Sequence, residues 1–271
     1  MNLGIESDTL RSLTAGDDLL RVEADADTSA LWENSLTQYG SEVLDGVALE
    51  NFYRRSVSCG RLDKMPVYDP EKLLTDLGLF REGYITNAGF FLFSNRRPAV
   101  LKMAVFMTEL RITSTDPRKL EDNVYNLVKS GISYIKELVN WKVEFGDDGV
   151  RRDIPEIPVE AVREIVVNSF AHADYRANGE NEISITPTRV EIRNPGTFPT
   201  GLSPEIFARH KSRSLPRNRV ILNTLCLCGY AEMSGSGFRK VFDLCARSGT
   251  RTGSSCGSGN VSFTFSRISR A

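Results

Sequence analysis

The sequence predicts an α+β protein, with helices and strands mixed along the chain. Three observations carry this. Residues 117–140 and the stretch after Pro158 repeat apolar side chains every three to four positions. Ile183, Ile185, Val190 and Ile192, and later Val261, Phe263 and Phe265, alternate with polar neighbours. The composition of the 271 residues, 41% hydrophobic and 25% charged, is that of an ordinary globular chain and excludes a disordered, collagenous or coiled-coil protein.

The length predicts two domains, or one domain with a large extension. Residues 1–65 carry weak signals and read as a few helices and loops. An α/β connector region is expected over 66–150, and a larger C-terminal domain over 151–271. Within the connector, Asp69-Pro70 marks a helix start, with Leu73, Leu74 and Leu77 on its buried side. The runs GYITNAGFFLFS and AVLKMAVFM read either as two buried strands or as a short helix plus strands. Residues 117–140 give the clearest helix, interrupted by Gly131 at a modest cost in propensity. WKVEF and VRRDI, split by GDDG, read as a strand pair. Pro155 and Pro158 mark a junction, and the domain boundary is expected near residue 150.

Charge and cysteine content narrow the chemistry. Thirty-four Lys and Arg against 35 Asp and Glu leave a net charge of −1, so a strongly basic nucleic-acid binder is not expected globally. The five cysteines (Cys59, Cys226, Cys228, Cys245 and Cys256) are odd in number and form no framework, which fits reduced thiols in a cytoplasmic protein. The start has no secretory pattern, and no apolar run reaches membrane-spanning length, so no membrane partner is expected. The two histidines, His172 and His210, lie in no metal-binding spacing. Cys226 and Cys228, two apart on a helix, point in different directions and read as core thiols. There is no P-loop and no GxGxxG. GSSCG, residues 253–257, matches GxSxG by letter but has neither the strand nor the helix a nucleophile elbow needs.

The helix after Pro158 carries the sharpest pattern. Glu164, Asn168 and His172 are spaced i, i+4, i+8, one polar stripe beside the apolar Val162, Ile165, Val166 and Phe170. Such a stripe either hydrogen-bonds internally to fix the next loop or faces a ligand. In the second case the carboxylate orients a water and the amide holds a hard cation such as Mg²⁺. Asn194-Pro195-Gly196 ends the following hairpin. It is either a plain turn or a place where Gly196 lets backbone approach a ligand that Asn194 reads. Residues 209–219 carry Arg209, Lys211, Arg213, Arg217 and Arg219 with no acid among them, a solvated loop or one facing phosphate or nucleic acid. A helix ending at Gly229 follows. Gly235 and Gly237 then precede another helix, whose first amides can bind phosphate. The Gly/Ser-rich run from Gly249 to Asn260 is expected to be mobile, and VSFTFSRI closes the chain as a strand.

In this order, REIVVNSFAHADY, VEIRNPGTFP and SLPRNRVILNTLCLCGYAEMSGSGF resemble the C-terminal ATPase-like domain of bacterial and archaeal transcriptional regulators labelled RecG-like or ATP-dependent DNA helicase-related. LLTDLGLFREGYITNAGFFLFSNRRP resembles their connector. The resemblance covers roughly residues 66–268. Those proteins carry an AlbA-like (Schlafen-type) DNA-binding domain in front, and residues 1–65 are expected to be its truncated remainder. The ATPase-like domain is similar to the GHKL superfamily of gyrase, MutL and histidine kinases.

That resemblance implies a layered α/β sandwich holding ATP and Mg²⁺. By motif, Glu164 is the general base and Asn168 the Mg²⁺ ligand. Asn194 and Gly196 match the box that reads adenine, His172, Asp174, Arg217 and Asn218 join the nucleotide contacts, and Gly235 and Gly237 lie by the phosphates. A homo-oligomer is expected, with DNA a further partner through residues 209–219 or through the missing N-terminal domain. Asn194 stands where the superfamily has Asp, and Ala173 where it has Arg. With no P-loop, strand separation is not expected.

Overall fold

The computed structural model describes residues 32–177, 179–197, 216–231 and 237–267. Helix α1 (Gly46–Ser58) starts at Asp45, whose carboxylate accepts the N–H groups of Val47 and Ala48. Helix α2 (Pro70–Asp76) follows the Asp-Pro signal, with Asp69 accepting the N–H of Lys72. The ambiguous apolar runs resolve into a short hairpin of β1 (Phe80–Arg81) and β2 (Tyr84–Ile85), helix α3 (Asn87–Phe93) and strand β3 (Ala99–Val105). Strand β4 (Arg118–Asp122) leads into helix α4 (Val124–Leu138). The hairpin of β5 (Trp141–Phe145) and β6 (Arg151–Pro155) precedes helix α5 (Val159–Ala171). Strands β7 (Asn181–Ile185) and β8 (Arg189–Pro195) form the next hairpin. Helices α6 (Arg219–Leu227) and α7 (Gly237–Ser248) and strands β9 (Thr252–Gly257) and β10 (Asn260–Ser266) complete the order.

The α+β class holds: a mixed six-stranded sheet runs β4-β3-β7-β8-β10-β9, parallel between β3 and β7 and antiparallel elsewhere. Its inner face presents Leu101, Met103, Ile183, Ile185, Val190, Ile192, Phe263 and Phe265, all buried. Helices α4 and α5 cover this face with Leu127, Val128, Ile135, Val162, Ile165, Val166 and Phe170 in one core. Gly131 is the point of closest approach. A Cβ there would stand 3.0 Å from Ile183 Cδ1 and 3.3 Å from Leu101 Cδ2. The helix interruption in the sequence is therefore where α4 sinks onto the sheet.

Two expectations are corrected. The predicted helix over 117–140 begins only at Val124, because residues 118–122 pair with β3, Leu120 opposite Leu101. The Gly/Ser-rich run from Gly249 to Asn260 holds strand β9, registered on β10 from Thr252–Phe265 to Gly257–Asn260. Its small hydroxyl side chains bond across the ladder, Ser255 with Ser262 at 2.8 Å, and Thr264 donates to the Gly253 carbonyl at 3.1 Å. Residue 150 falls at the β5–β6 hairpin, and the main sheet draws strands from both sides of it.

Asn123 ties two helix starts together. It is fully buried, accepts the Asn126 N–H at 3.0 Å, and donates to the Asp45 carboxylate at 3.2 Å. Asn123→Ala is expected to lower unfolding free energy by about 2 kcal/mol, through a lost cap and a lost bond to a charged acceptor. Urea denaturation checks this; a loss below ~0.5 kcal/mol contradicts the role.

Candidate functional site

The polar stripe of α5 forms as its spacing dictates. Glu164, Asn168 and His172 are half-buried, between the fully buried Ala161, Ile165 and Val167. Asn168 Nδ2 donates to Glu164 Oε1 at 3.3 Å, one helical turn away. Helix α7 begins directly against this carboxylate. A Cβ on Gly237 would lie 1.7 Å from Glu164 Oε1 and 2.5 Å from its Cδ. The absence of a side chain at Gly237 is thus what lets an acidic group sit at a helix N-terminus, where the helix dipole favours negative charge. Gly235, the other glycine expected here, lies outside the described residues. Beneath the stripe, burial pushes the Cys226 thiol up to about 11, and the Glu164 charge adds to the shift. Cys228 and Cys245 are likewise buried and pushed up to about 12. These are core thiols with little thiolate at neutral pH.

A second group gathers at the C-terminal end of α5. His172 is the helix C-cap, its N–H donating to the Asn168 and Phe170 carbonyls. Burial, helped by the nearby Arg217 guanidinium, pushes the imidazole down to about 4. It is neutral at physiological pH. Gly196 has φ +128°, a conformation that disfavours any Cβ, and a Cβ there would stand 3.3 Å from the His172 carbonyl oxygen. Its N–H donates to the Gly259 carbonyl at 2.8 Å. The Asp174 N–H donates to the Pro195 carbonyl at 2.9 Å, so β8 is stitched to the end of α5. Burial works to raise the Asp174 carboxyl. Hydrogen bonds from Arg176 and the charges of Arg217 and Arg176 outweigh it and hold the carboxyl below the ordinary range. Arg217 Nη1 stands 3.7 Å from Asp174 Oδ2. Asn194 is buried at the end of β8, with Nδ2 donating to the Pro195 carbonyl at 3.0 Å.

Asn218 holds protein rather than facing open space. It is 2% exposed, and its amide donates to the carbonyls of Ala173 at 2.7 Å and Phe170 at 3.4 Å, while its N–H reaches Ala171. It fastens the start of α6 to the end of α5. Of the basic stretch 209–219, residues 209–215 lie outside the described residues.

The sequence reading passed over Glu33, which proves central. It is fully buried, and its two carboxylate oxygens accept the N–H groups of Val220 (3.1 Å) and Ile221 (3.0 Å) in the first turn of α6. Burial pushes its carboxyl up to about 7, against the hydrogen bonds of Ile221, Val220 and Arg219. Neighbouring Trp32 stacks on Tyr175 at 5.8 Å. At the other end of α6, Arg55 Nε donates to the Cys228 carbonyl, and Arg61 Nη1 donates to the carbonyls of Cys226 and Ala231. The Arg55 guanidinium also lies 4.5 Å from the Tyr230 ring centroid. No local signal marks these partners, because each lies more than 150 residues from the group it binds.

Residues 179–264 match the family described as "Putative ATP-dependent DNA helicase recG C-terminal", an ATPase-like domain. The matched span includes Asn194, Gly196 and Gly237 and begins after the α5 stripe. No curated protein matches the sequence. Among solved structures, the chain is similar to the DIP2311 protein of Corynebacterium diphtheriae, with a TM-score of 0.73 and 17% identity over 87% of this chain and 47% of that one. That likeness shows the fold, and the chain spans about half the length of the protein it resembles.

Two outcomes test this geometry. The Glu33 carboxyl is raised above its ordinary 4.5, so it contributes stability at low pH that is lost as pH rises from about 4.5 through 7. Relative to Glu33→Gln, the wild type should therefore lose up to about 3 kcal/mol between pH 4.5 and 8, read by urea unfolding at each pH. A pH-independent difference contradicts the burial argument. In a double-mutant cycle, Gly237→Ala should destabilise the wild type by about 1 kcal/mol or more and cost measurably less in a Glu164→Ala background. Equal costs in both backgrounds would separate the two residues.

Proposed function

We propose that the chain binds ATP with Mg²⁺ at the α5 stripe and the start of α7, and that binding serves regulation. The observation that carries this reading is the carboxylate–amide pair Glu164–Asn168 facing a helix N-terminus whose first residue must be glycine. The ATPase-like match over 179–264 supports it.

The donor set fits the group. Asn168 offers an amide oxygen, a hard ligand, one helical turn from the Glu164 carboxylate. Among the described residues, no three His, Cys, Asp or Glu converge to hold a metal by themselves. Asn168 would hold a Mg²⁺ here through its amide oxygen, and the ion would neutralise phosphate charge. Bound nucleotide supplies the phosphoanhydride to be cleaved. In this reading Glu164 Oε1 orients a water and takes its proton, while Asn168, hydrogen-bonded to it, keeps the carboxylate in one rotamer. Asn194 lends its amide oxygen to an amino group on the base, and the positive φ of Gly196 lets the ring approach the backbone. Gly237, at the start of α7, presents its N–H to the phosphates. His172, neutral, and Asp174 with Arg217 shape the entrance. Asn218 is a positioning residue.

The wider reading is a nucleotide-responsive cytoplasmic transcriptional regulator built as three parts, 1–65, 66–150 and 151–271. The first is the remainder of an AlbA-like domain, and DNA is contacted through residues 209–219. An ATPase-fold scaffold that pairs copies without turnover is the second reading, favoured by the engagement of Asn218 and Asp174 in protein contacts.

Calorimetric titration with a non-hydrolysable ATP analogue, with and without Mg²⁺, separates these. The expected result is Mg²⁺-dependent binding that Asn168→Ala weakens by at least ~10-fold, about 1.4 kcal/mol. Unchanged affinity in Asn168→Ala removes Asn168 from the site. No heat at millimolar analogue leaves the scaffold.

A further inference from the structure

The β5–β6 hairpin stands apart from the main sheet and presents apolar side chains to solvent. Trp141, Val143 and Phe145 are 39%, 44% and 71% exposed. These three share one face, since side chains alternate along a strand. Two-stranded hairpins are marginal in water, and a row of exposed aromatic and β-branched residues on one is unusual in a finished surface. Among the described residues, β5 pairs only with β6.

The backbone groups on its free edge follow from the register. The Gly146 N–H donates to the Val150 carbonyl, and the Glu156 N–H to the Asn140 carbonyl. Antiparallel ladders alternate hydrogen-bonded and non-bonded pairs, so Lys142 and Glu144 also bond to β6, opposite Ile154 and Arg152. Trp141, Val143 and Phe145 therefore point their N–H and C=O groups away from β6, toward the open edge.

The sequence of that edge is its own complement. We propose that β5 pairs antiparallel with β5 of a second copy of this chain, about a two-fold axis at Val143. In this register Val143 meets Val143 once, on the axis, while Trp141 meets Phe145 and Lys142 meets Glu144, each twice by symmetry. The two-fold registers centred on Lys142 or Glu144 place like charges opposite each other and are disfavoured. The other edge does not serve. On β6, Pro155 lacks an N–H, and a two-fold pairing about Asp153 sets two carboxylates face to face. Lys142 and Glu144 now pair along their own strand at 2.7 Å. Exchanging that exposed pair for an equivalent one across the axis is nearly neutral, so the charges select the register while the apolar face and four or more main-chain bonds drive association. A five-residue edge is smaller than a standard interface, which places the dissociation constant in the micromolar range.

Sedimentation velocity of the full chain between about 2 and 200 μM tests the proposal. The expected result is a monomer–dimer equilibrium. Val143→Pro, which removes an edge N–H, should leave a monomer with an unchanged far-ultraviolet circular dichroism spectrum. Lys142→Glu and Glu144→Lys should each weaken the dimer by about tenfold through two like-charge pairs, and the double swap should restore it. In a Cys59→Ser/Cys256→Ser background, which removes the exposed thiols, Val143→Cys should oxidise to a covalent dimer. A monomer throughout the range, a dimer untouched by Val143→Pro, or a double swap no tighter than the single reversals each overturns it.

Discussion

Helix α6 is held at both ends by side chains from the region 32–61, and the arrangement of the candidate site depends on that grip. A nine-residue helix leaves about as many backbone groups unpaired at its termini as it pairs within. Here a carboxylate takes the first N–H groups, and two guanidinium groups take the last carbonyls. The charges also match the helix dipole, negative at its start and positive at its end. Because Asn218, at the start of α6, bonds to the end of α5, fixing the axis of α6 fixes that border of the site.

The same logic recurs wherever a polar group is buried. Asn123 links the starts of α1 and α4, Asn181 reaches Ser169 at 3.2 Å, and Asn218 spans the end of α5. Each satisfies backbone or side-chain atoms that burial would otherwise leave unpaired, at about 1–3 kcal/mol apiece. The α5 stripe differs in kind. Glu164 and Asn168 stay half-buried at the margin of the core, next to a glycine that leaves room for them. Satisfied inner networks make the frame rigid, and this stripe is the polar group left at its margin.

Glu33 and His172 set opposing responses to acid near neutrality. Burial raises the one and lowers the other, so burial favours a protonated Glu33 and a neutral His172, while the N–H groups of α6 favour the charged Glu33 carboxylate. His172 caps the end of α5, and Glu33 holds the start of α6. The imidazole, pushed down to about 4, is neutral at physiological pH, while the Glu33 carboxyl is pushed up to about 7.

Local pattern determined a great deal of this protein. Alternation at Ile183–Ile185 and Val190–Ile192 gave the hairpin, the Asp69-Pro70 signal gave α2, and the i, i+4, i+8 spacing put Glu164, Asn168 and His172 on one edge of α5. These features depend on neighbours within a turn or a pleat, so short-range periodicity carries them. Composition misled where pairing across a sheet outweighed it: residues 118–122 continue a helical rhythm yet join β3, and the Gly/Ser-rich 252–257 gain order from the ladder with β10. Only the tertiary structure could decide that Glu33, Arg55 and Arg61 serve α6, and that Gly237 abuts Glu164. Those contacts join residues 73 to 188 positions apart, and a hydrogen bond or steric contact at that separation leaves no trace in the local order of side chains.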